Sequence, residues 1–219
     1  MLAQALHRRA DGGHDGAVTD IVIRALEGEE HKEAAALAAR ALIDAPTTLA
    51  AYGDDLYDRL ALPHHDFSML FTLLPAPQIG AFCGECLVGV AAASPPGRCI
   101  GSFFGSSGSE ILGRPAPGLG DPTRVEVFWA HWAAHDLVDE HWHIGPVGVE
   151  PGLQGRGIGN AVLGELCSSF DRSRRVGWLE TDKERNVRFY THFGFEVIAT
   201  TTILGVPTWF MRRDPVGRS

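Results

Sequence analysis

The sequence predicts an α/β fold around a mixed, mostly antiparallel sheet flanked by helices, and three stretches carry that prediction. The first runs from His143 to Gly159, an apolar strand, a Pro-containing turn and a glycine-rich loop that leads directly into a helix. Apolar residues after the loop fall at Ile158, Val162, Leu163, Leu166, Cys167 and Phe170, which is one face of a helix. The second is a strand over Val176–Thr181, a helix from about Lys183 that stops at Gly194, and a further strand over Phe195–Thr202. The third is a hairpin of Gln78–Phe82 and Leu87–Ala92, with Gly84-Glu85 at its turn.

The remaining elements follow in order. Residues 1–19 read as a flexible tail, 20–213 as one domain and 214–219 as a short C-terminal tail. Asp20–Ala25 is an opening strand, and Glu29–Ile43 is Ala-rich and helix-favouring. Leu49–Leu74 is helical in pattern, with a break expected near Pro63, and carries Tyr52, Tyr57, His64, His65 and Phe67. Ser94–Gly120 is rich in Gly, Pro and Ser and reads as a long loop, the kind that is often a binding element. Asp121-Pro122 forms an N-cap and first-turn proline, and Val125, Phe128, Trp129 and Trp132 mark the buried face of the helix that follows.

The glycine loop carries chemistry. Gly155, Gly157 and Gly159 allow the backbone to curl so that the N–H groups of residues 155–160 converge where a helix begins. A helix N-terminus offers unpaired N–H donors and a partial positive charge, which suits a phosphate. Arg156 adds a full charge. The phosphate loop of nucleotide hydrolases is excluded, because Ile158-Gly159-Asn160 stands where Lys and Ser or Thr are needed. In the dinucleotide pattern the third glycine would come one residue later than Gly159.

The spacing Gln154-x-x-Gly157-x-Gly159 resembles the acyl-CoA pyrophosphate loop of the GNAT family of N-acetyltransferases. A second motif agrees with it: Asn186 and Tyr190 stand four residues apart on one helix face, ahead of Gly194-Phe195. The likeness covers roughly Asp139 to Arg213, and His141-Trp-His-Ile-Gly-Pro146 is similar to the branch that includes puromycin acetyltransferase-like proteins. The resemblance implies acetyl-CoA as cosubstrate and a GNAT fold whose two central parallel strands splay apart. Val147, Gly148 and Val149 would then lack sheet partners on one side and pair with the pantetheine arm. Gln154, Gly155, Arg156, Gly157, Ile158, Gly159 and Asn160 would hold the pyrophosphate, and Asn186 would contact the cofactor. It further implies that the early helical region lies over the acceptor groove, and it leaves room for a homodimer.

Acyl transfer to an amine makes two proton demands. A free alkyl amine, with a pKa of about 10.4, is almost wholly protonated at neutral pH, so a base assists attack. The departing thiolate benefits from an acid, and by resemblance Tyr190 fills that role. His141 and His143 share one face of the strand that leads into the loop. His143 is the first candidate for the base, on the expectation that it faces the same way as Val147 and Val149, with His141 and a water chain as alternatives.

Composition sets limits. A formal charge of −8 over 219 residues argues against a nucleic-acid partner and mildly favours cationic ligands. No uninterrupted apolar run reaches the eighteen or so residues a membrane helix needs, and residues 1–20 lack the apolar core of a secretion signal, so no membrane role is expected and the cytoplasm is. Cys83-Gly-Glu-Cys86 has no second pair, and Cys99 and Cys167 stand alone in the sequence, so no metal site is expected. The expected activity is acetyl transfer to a primary amine of a small-molecule acceptor. The alternative is a non-catalytic acyl-CoA sensor or structural subunit, against which the Asn186–Tyr190 pair argues.

Overall fold

A computed structural model describes residues 20–73, 77–99 and 122–217. The expected N-terminal tail, most of the 94–120 loop and the Asp121 cap lie outside the described residues. Among the described residues thirteen main elements follow one another: β1 Ile21–Ala25, α1 His31–Ala41, α2 Pro46–Tyr52, α3 Leu56–Leu73, β2 Gln78–Cys83, β3 Cys86–Ser94, α4 Pro122–Ala134, β4 His141–Val149, α5 Ile158–Ser173, β5 Val176–Thr181, α6 Glu184–Thr191, β6 Glu196–Ile203 and β7 Val206–Arg213. The strands form one seven-stranded sheet in the order β1-β2-β3-β4-β5-β7-β6. Every neighbouring pair is antiparallel except β4 and β5.

Alternation of side chains across the sheet sends apolar residues to both faces. On one face α5 lays Ile158, Val162, Leu163, Leu166, Cys167 and Phe170 against Ile79, Ala81, Ala91, Ile144 and Leu179. All six α5 residues expected from the periodicity are buried. On the other face α1 packs Ala34, Ala35, Leu37 and Ala38 against Phe82, Leu87, Val90 and Ala92. Small residues on α1 let it lie close to the strands, and a Cβ on Gly148 of β4 would come within 3.0 Å of Ala41. A third cluster joins α2 and α4 to Ile203 and Val206 through Phe128 and Trp129, two of the expected α4 face.

The hairpin is as expected, with Cys83 opposite Cys86 and no disulfide joining them. One expectation requires correction. Helix α3 continues through Pro63, and the break falls instead at residues 53–55. Gly53 takes a φ of +80° and ends α2, while Asp55 Oδ1 accepts from the N–H groups of Tyr57 and Asp58 and caps α3. These local signals outweigh the single hydrogen bond that a proline removes. The last strand, β7, inserts between β5 and β6 and leaves β6 at the edge of the sheet.

The helical pair α2 and α3 contains a partly buried polar contact, in which the Tyr52 hydroxyl donates to Asp66 Oδ2 at 2.8 Å. Burial raises the Asp66 carboxyl to about 6, against the smaller lowering effects of Tyr52 and His65. A carboxyl whose folded pKa is raised binds its proton more tightly when folded, so its contribution favours the fold at low pH. That contribution is lost as pH rises from about 4 to about 6. Asp66→Asn keeps an acceptor for Tyr52 but cannot ionise, so its stability relative to wild type should rise across that window by on the order of 2 kcal/mol and then level off. Chemical denaturation of both proteins between pH 4 and pH 8 measures this; parallel curves would contradict it.

Candidate active site

The parallel ladder between β4 and β5 is short. It pairs His141 with Val176, Trp142 with Gly177 and His143 with Trp178, and then stops. Beyond that point β4 continues to Val149 paired only with β3, and β5 continues to Thr181 paired only with β7. The strands therefore diverge. This is the splay expected above, and Val147, Gly148 and Val149 lie on its β4 arm, hydrogen-bonded to β3 opposite Ala91, Val90 and Gly89. Backbone polar groups on the inner edges of such a fork need partners from elsewhere. The Val149 carbonyl accepts one bond from Gln154 Nε2 at 3.2 Å.

The open end of the fork leads into the glycine loop. A short 3₁₀ turn, Pro151–Leu153, follows β4, and α5 begins at Ile158. Gly155 and Gly157 take φ values of +77° and +84°, which favour glycine, and Gly157 is the N-cap of α5. A Cβ at either position would meet nothing within 4 Å, so open space lies over the loop. The first intrahelical bond runs from Ala161 N–H to the Gly157 carbonyl, which leaves the Ile158, Gly159 and Asn160 N–H groups at the helix mouth. Arg156 and Asn160 are exposed beside them. Ile158 turns into the core and is 6% exposed, so at that residue the backbone, not the side chain, faces the mouth.

On the other arm, α6 places Asn186 and Tyr190 one turn apart. Asn186 is half-buried, whereas Tyr190 is 9% exposed and packs edge-on against Phe189 and Phe195. Burial, followed by the nearby negative charges of Glu180 and Asp182, raises the Tyr190 hydroxyl well above its ordinary value. The phenol therefore keeps its proton at neutral pH.

His143 lies elsewhere than expected. Trp142, Ile144, Val147 and Val149 all pack on the α5 side of the sheet. The alternation therefore slips at Gly145-Pro146, where the β3–β4 register shifts between Ala91 and Ala93. His143 projects from the opposite face, 1% exposed, away from Val147 and Val149. Its Nε2 lies 2.8 Å from Glu180 Oε2 and its Nδ1 lies 2.7 Å from Cys99 Sγ. With both ring nitrogens engaged and almost no exposure, it is poorly placed to take a proton from an incoming amine.

A model of the acetyltransferase (GNAT) family matches residues 43–195. The chain belongs to that family. Solved structures share the fold at low identity. An acetyltransferase related to histone acetyltransferase HPA2, from Corynebacterium glutamicum, is 16% identical with a TM-score of 0.66, over 91% of this chain and 98% of its own. A polyamine N-acetyltransferase from Drosophila melanogaster is 15% identical with a TM-score of 0.63, over 89% of this chain and 100% of its own. The protein yncA of Salmonella typhimurium, solved with its cofactor acetyl-CoA, is 16% identical with a TM-score of 0.54, over 91% and 96%.

Within this GNAT N-acetyltransferase several residues near the fork went unnoticed in the sequence. Glu180 on β5 holds His143, and Asp182 just beyond it accepts from the Thr47 N–H at the start of α2 at 2.8 Å. That contact fastens α2 to the fork. An acidic residue at a helix start is a local electrostatic signal only when it lies nearby in sequence, and Asp182 is not. Cys99 is not isolated either: it gathers with Asp136, His141 and His143.

Proposed function

We propose that this GNAT protein transfers the acetyl group of acetyl-CoA to a primary amine of a small molecule by direct attack, using one catalytic domain spanning residues 20–213. The observation that carries the reading is the fork: the β4–β5 ladder stops at His143 and Trp178, and its open end meets a helix mouth lined by glycines of positive φ. The space above Gly155 and Gly157 and the donors of Ile158, Gly159 and Asn160 fit a pyrophosphate, with Arg156 as its cationic partner. Gln154 fastens the loop to β4, the inner edge of Val147–Val149 accepts the amides of the pantetheine arm, and Asn186 completes the cofactor contacts.

Acetyl-CoA supplies the activated acetyl group. Tyr190, kept protonated by burial, donates to the departing sulfur. The amine proton passes to solvent in this reading, because His143 is buried on the opposite face of β4. The formal charge of −8 supports a cationic acceptor, and the polyamine acetyltransferase neighbour points the same way. The likeness of His141–Pro146 to the puromycin acetyltransferase-like branch adds aminonucleosides to the acceptors worth testing. We place the activity in the cytoplasm, where Cys83 and Cys86, opposite each other yet unbridged, stay reduced.

Release of free CoA from acetyl-CoA, measured across polyamines, aminoglycosides, aminonucleosides and amino acids, tests the reading. At least one small amine should accelerate release well above the blank. Binding of acetyl-CoA without acceleration by any of them would favour a sensor instead.

A further inference from the structure

Three separate segments bring metal-binding side chains together on the α1 side of β4. Cys99 lies on the chain that leaves β3, after a turn in which the Arg98 N–H donates to the Pro95 carbonyl. Asp136 lies in the connection from α4 to β4, and His141 and His143 open β4 itself. Sγ of Cys99, a carboxylate oxygen of Asp136 and one nitrogen of each histidine lie within 4.8 Å of one another. Cys99, His141 and His143 are 8%, 5% and 1% exposed.

The orientation of each histidine is more telling than the proximity. His141 Nδ1 lies 2.7 Å from the Asp139 carbonyl, an acceptor only, so that nitrogen carries a hydrogen and Nε2 is left to face the cluster. Nε2 is buried and 2.9 Å from Asp136 Oδ1, yet it lacks the alignment of a hydrogen bond. His143 does the same with its nitrogens exchanged: Nε2 is held by the Glu180 carboxylate, and Nδ1 points at Cys99 Sγ, 2.7 Å away. Metal-ligating histidines characteristically give their second N–H to a carboxylate or a backbone carbonyl, which fixes tautomer and ring direction. Both forms of that partner are present here. Trp178, edge-on to His141 and stacked on Phe210, closes an apolar wall around the group.

We infer that Cys99, Asp136, His141 and His143 form a structural Zn²⁺ site. The donor set is two imidazoles, one thiolate and one carboxylate, borderline in softness and four in number, which suits tetrahedral zinc. Donor separations of about 3.3–3.6 Å follow from zinc–ligand lengths of about 2.0–2.3 Å, so small shifts of these side chains complete the geometry. Charge closes as well: thiolate and carboxylate offset the two positive charges of the ion, and both imidazoles bind neutral. Binding displaces the Cys99 proton and any proton on the facing imidazole nitrogens into solvent. With four protein ligands there is no open position for substrate. The ion would instead pin the residues after β3 and after α4 to β4 beside His143 and Trp178, where the central strands part. The inference is independent of the acetyl-transfer reading, since it uses none of the loop residues or Tyr190.

Full-length protein purified from zinc-supplemented medium should carry about one zinc per chain by elemental analysis. Its Tm should fall on treatment with a strong chelator and recover when Zn²⁺ alone is added back. Replacement by Co²⁺ should produce the thiolate-to-cobalt absorption of a tetrahedral site. That signal should persist in the double variant Cys83→Ser/Cys86→Ser, which removes the exposed hairpin thiols, and vanish in Cys99→Ser. Glu180→Gln should weaken zinc affinity by about 10–100-fold while keeping one zinc per chain at saturation. Absence of the cobalt signal in the folded double variant would overturn the inference, and needs no Cys99 variant to fold. Its persistence in Cys99→Ser would overturn it too, as would zinc-free protein whose Tm does not respond to added Zn²⁺.

Discussion

Tyr190→Phe should lower turnover by about 10²–10⁴-fold while leaving acetyl-CoA affinity and thermal stability close to wild type. The substitution removes one hydroxyl from a ring whose apolar contacts are with Phe189 and Phe195, and those contacts survive unchanged. The hydroxyl is protonated at neutral pH because burial and the charges of Glu180 and Asp182 oppose its ionisation. A donor matters most when the thiolate departs, so the loss belongs to kcat and, in equal measure, to kcat/KM. Steady-state kinetics on the best acceptor, with calorimetry for acetyl-CoA, separates these quantities. Wild-type turnover in a variant of unchanged affinity would return Tyr190 to a packing role.

Much of the frame behind that prediction is legible in the sequence because it is written in local patterns. The α5 face is a run of 3.6-residue periodicity, and the fold buries each of its six apolar positions. The Cys83–Cys86 hairpin and the glycine-rich approach to Ile158 are also local, set by turn residues at fixed offsets. What escaped depends on partners far away in the chain. β7 is central because β6 folds back outside it, and nothing within Val206–Arg213 announces that position. Gly145-Pro146 switches the facing of β4 by slipping against Ala91–Ala93, so a two-residue alternation carried from Val149 back to His143 points the imidazole to the wrong side. The same separation hid the Cys99 cluster, since its four members span three segments and only His141 and His143 share the close spacing by which metal sites are usually read. A distance of two residues between His141 and His143 was the single clue, and it fits a structural strand pair equally well.

The glycine loop offers the second large effect. Gly157→Val should weaken acetyl-CoA binding by at least about 10²-fold, which corresponds to about 2.7 kcal/mol. Two consequences of a side chain at this position act together. Its φ of +84° is strained for a β-branched residue, at a cost of about 1–2 kcal/mol, and relief of that strain would rotate the helix-mouth N–H groups away from convergence. The new side chain would also occupy the open space above the loop, where a Cβ now meets nothing within 4 Å and where a pyrophosphate must approach the backbone. Strain alone can be isolated, because Gly205 in the β6–β7 turn has the same φ of +84° and equally open surroundings. Gly205→Val should therefore cost similar stability and leave cofactor affinity intact. Arg156→Ala, which removes charge but no backbone donor, should fall between the two, and its deficit should shrink as salt screens the exposed guanidinium. Calorimetric titration of the folded variants with acetyl-CoA decides the matter. An unchanged affinity in Gly157→Val would move the pyrophosphate site away from the start of α5, and equal losses in Gly157→Val and Gly205→Val would assign the effect to general destabilisation.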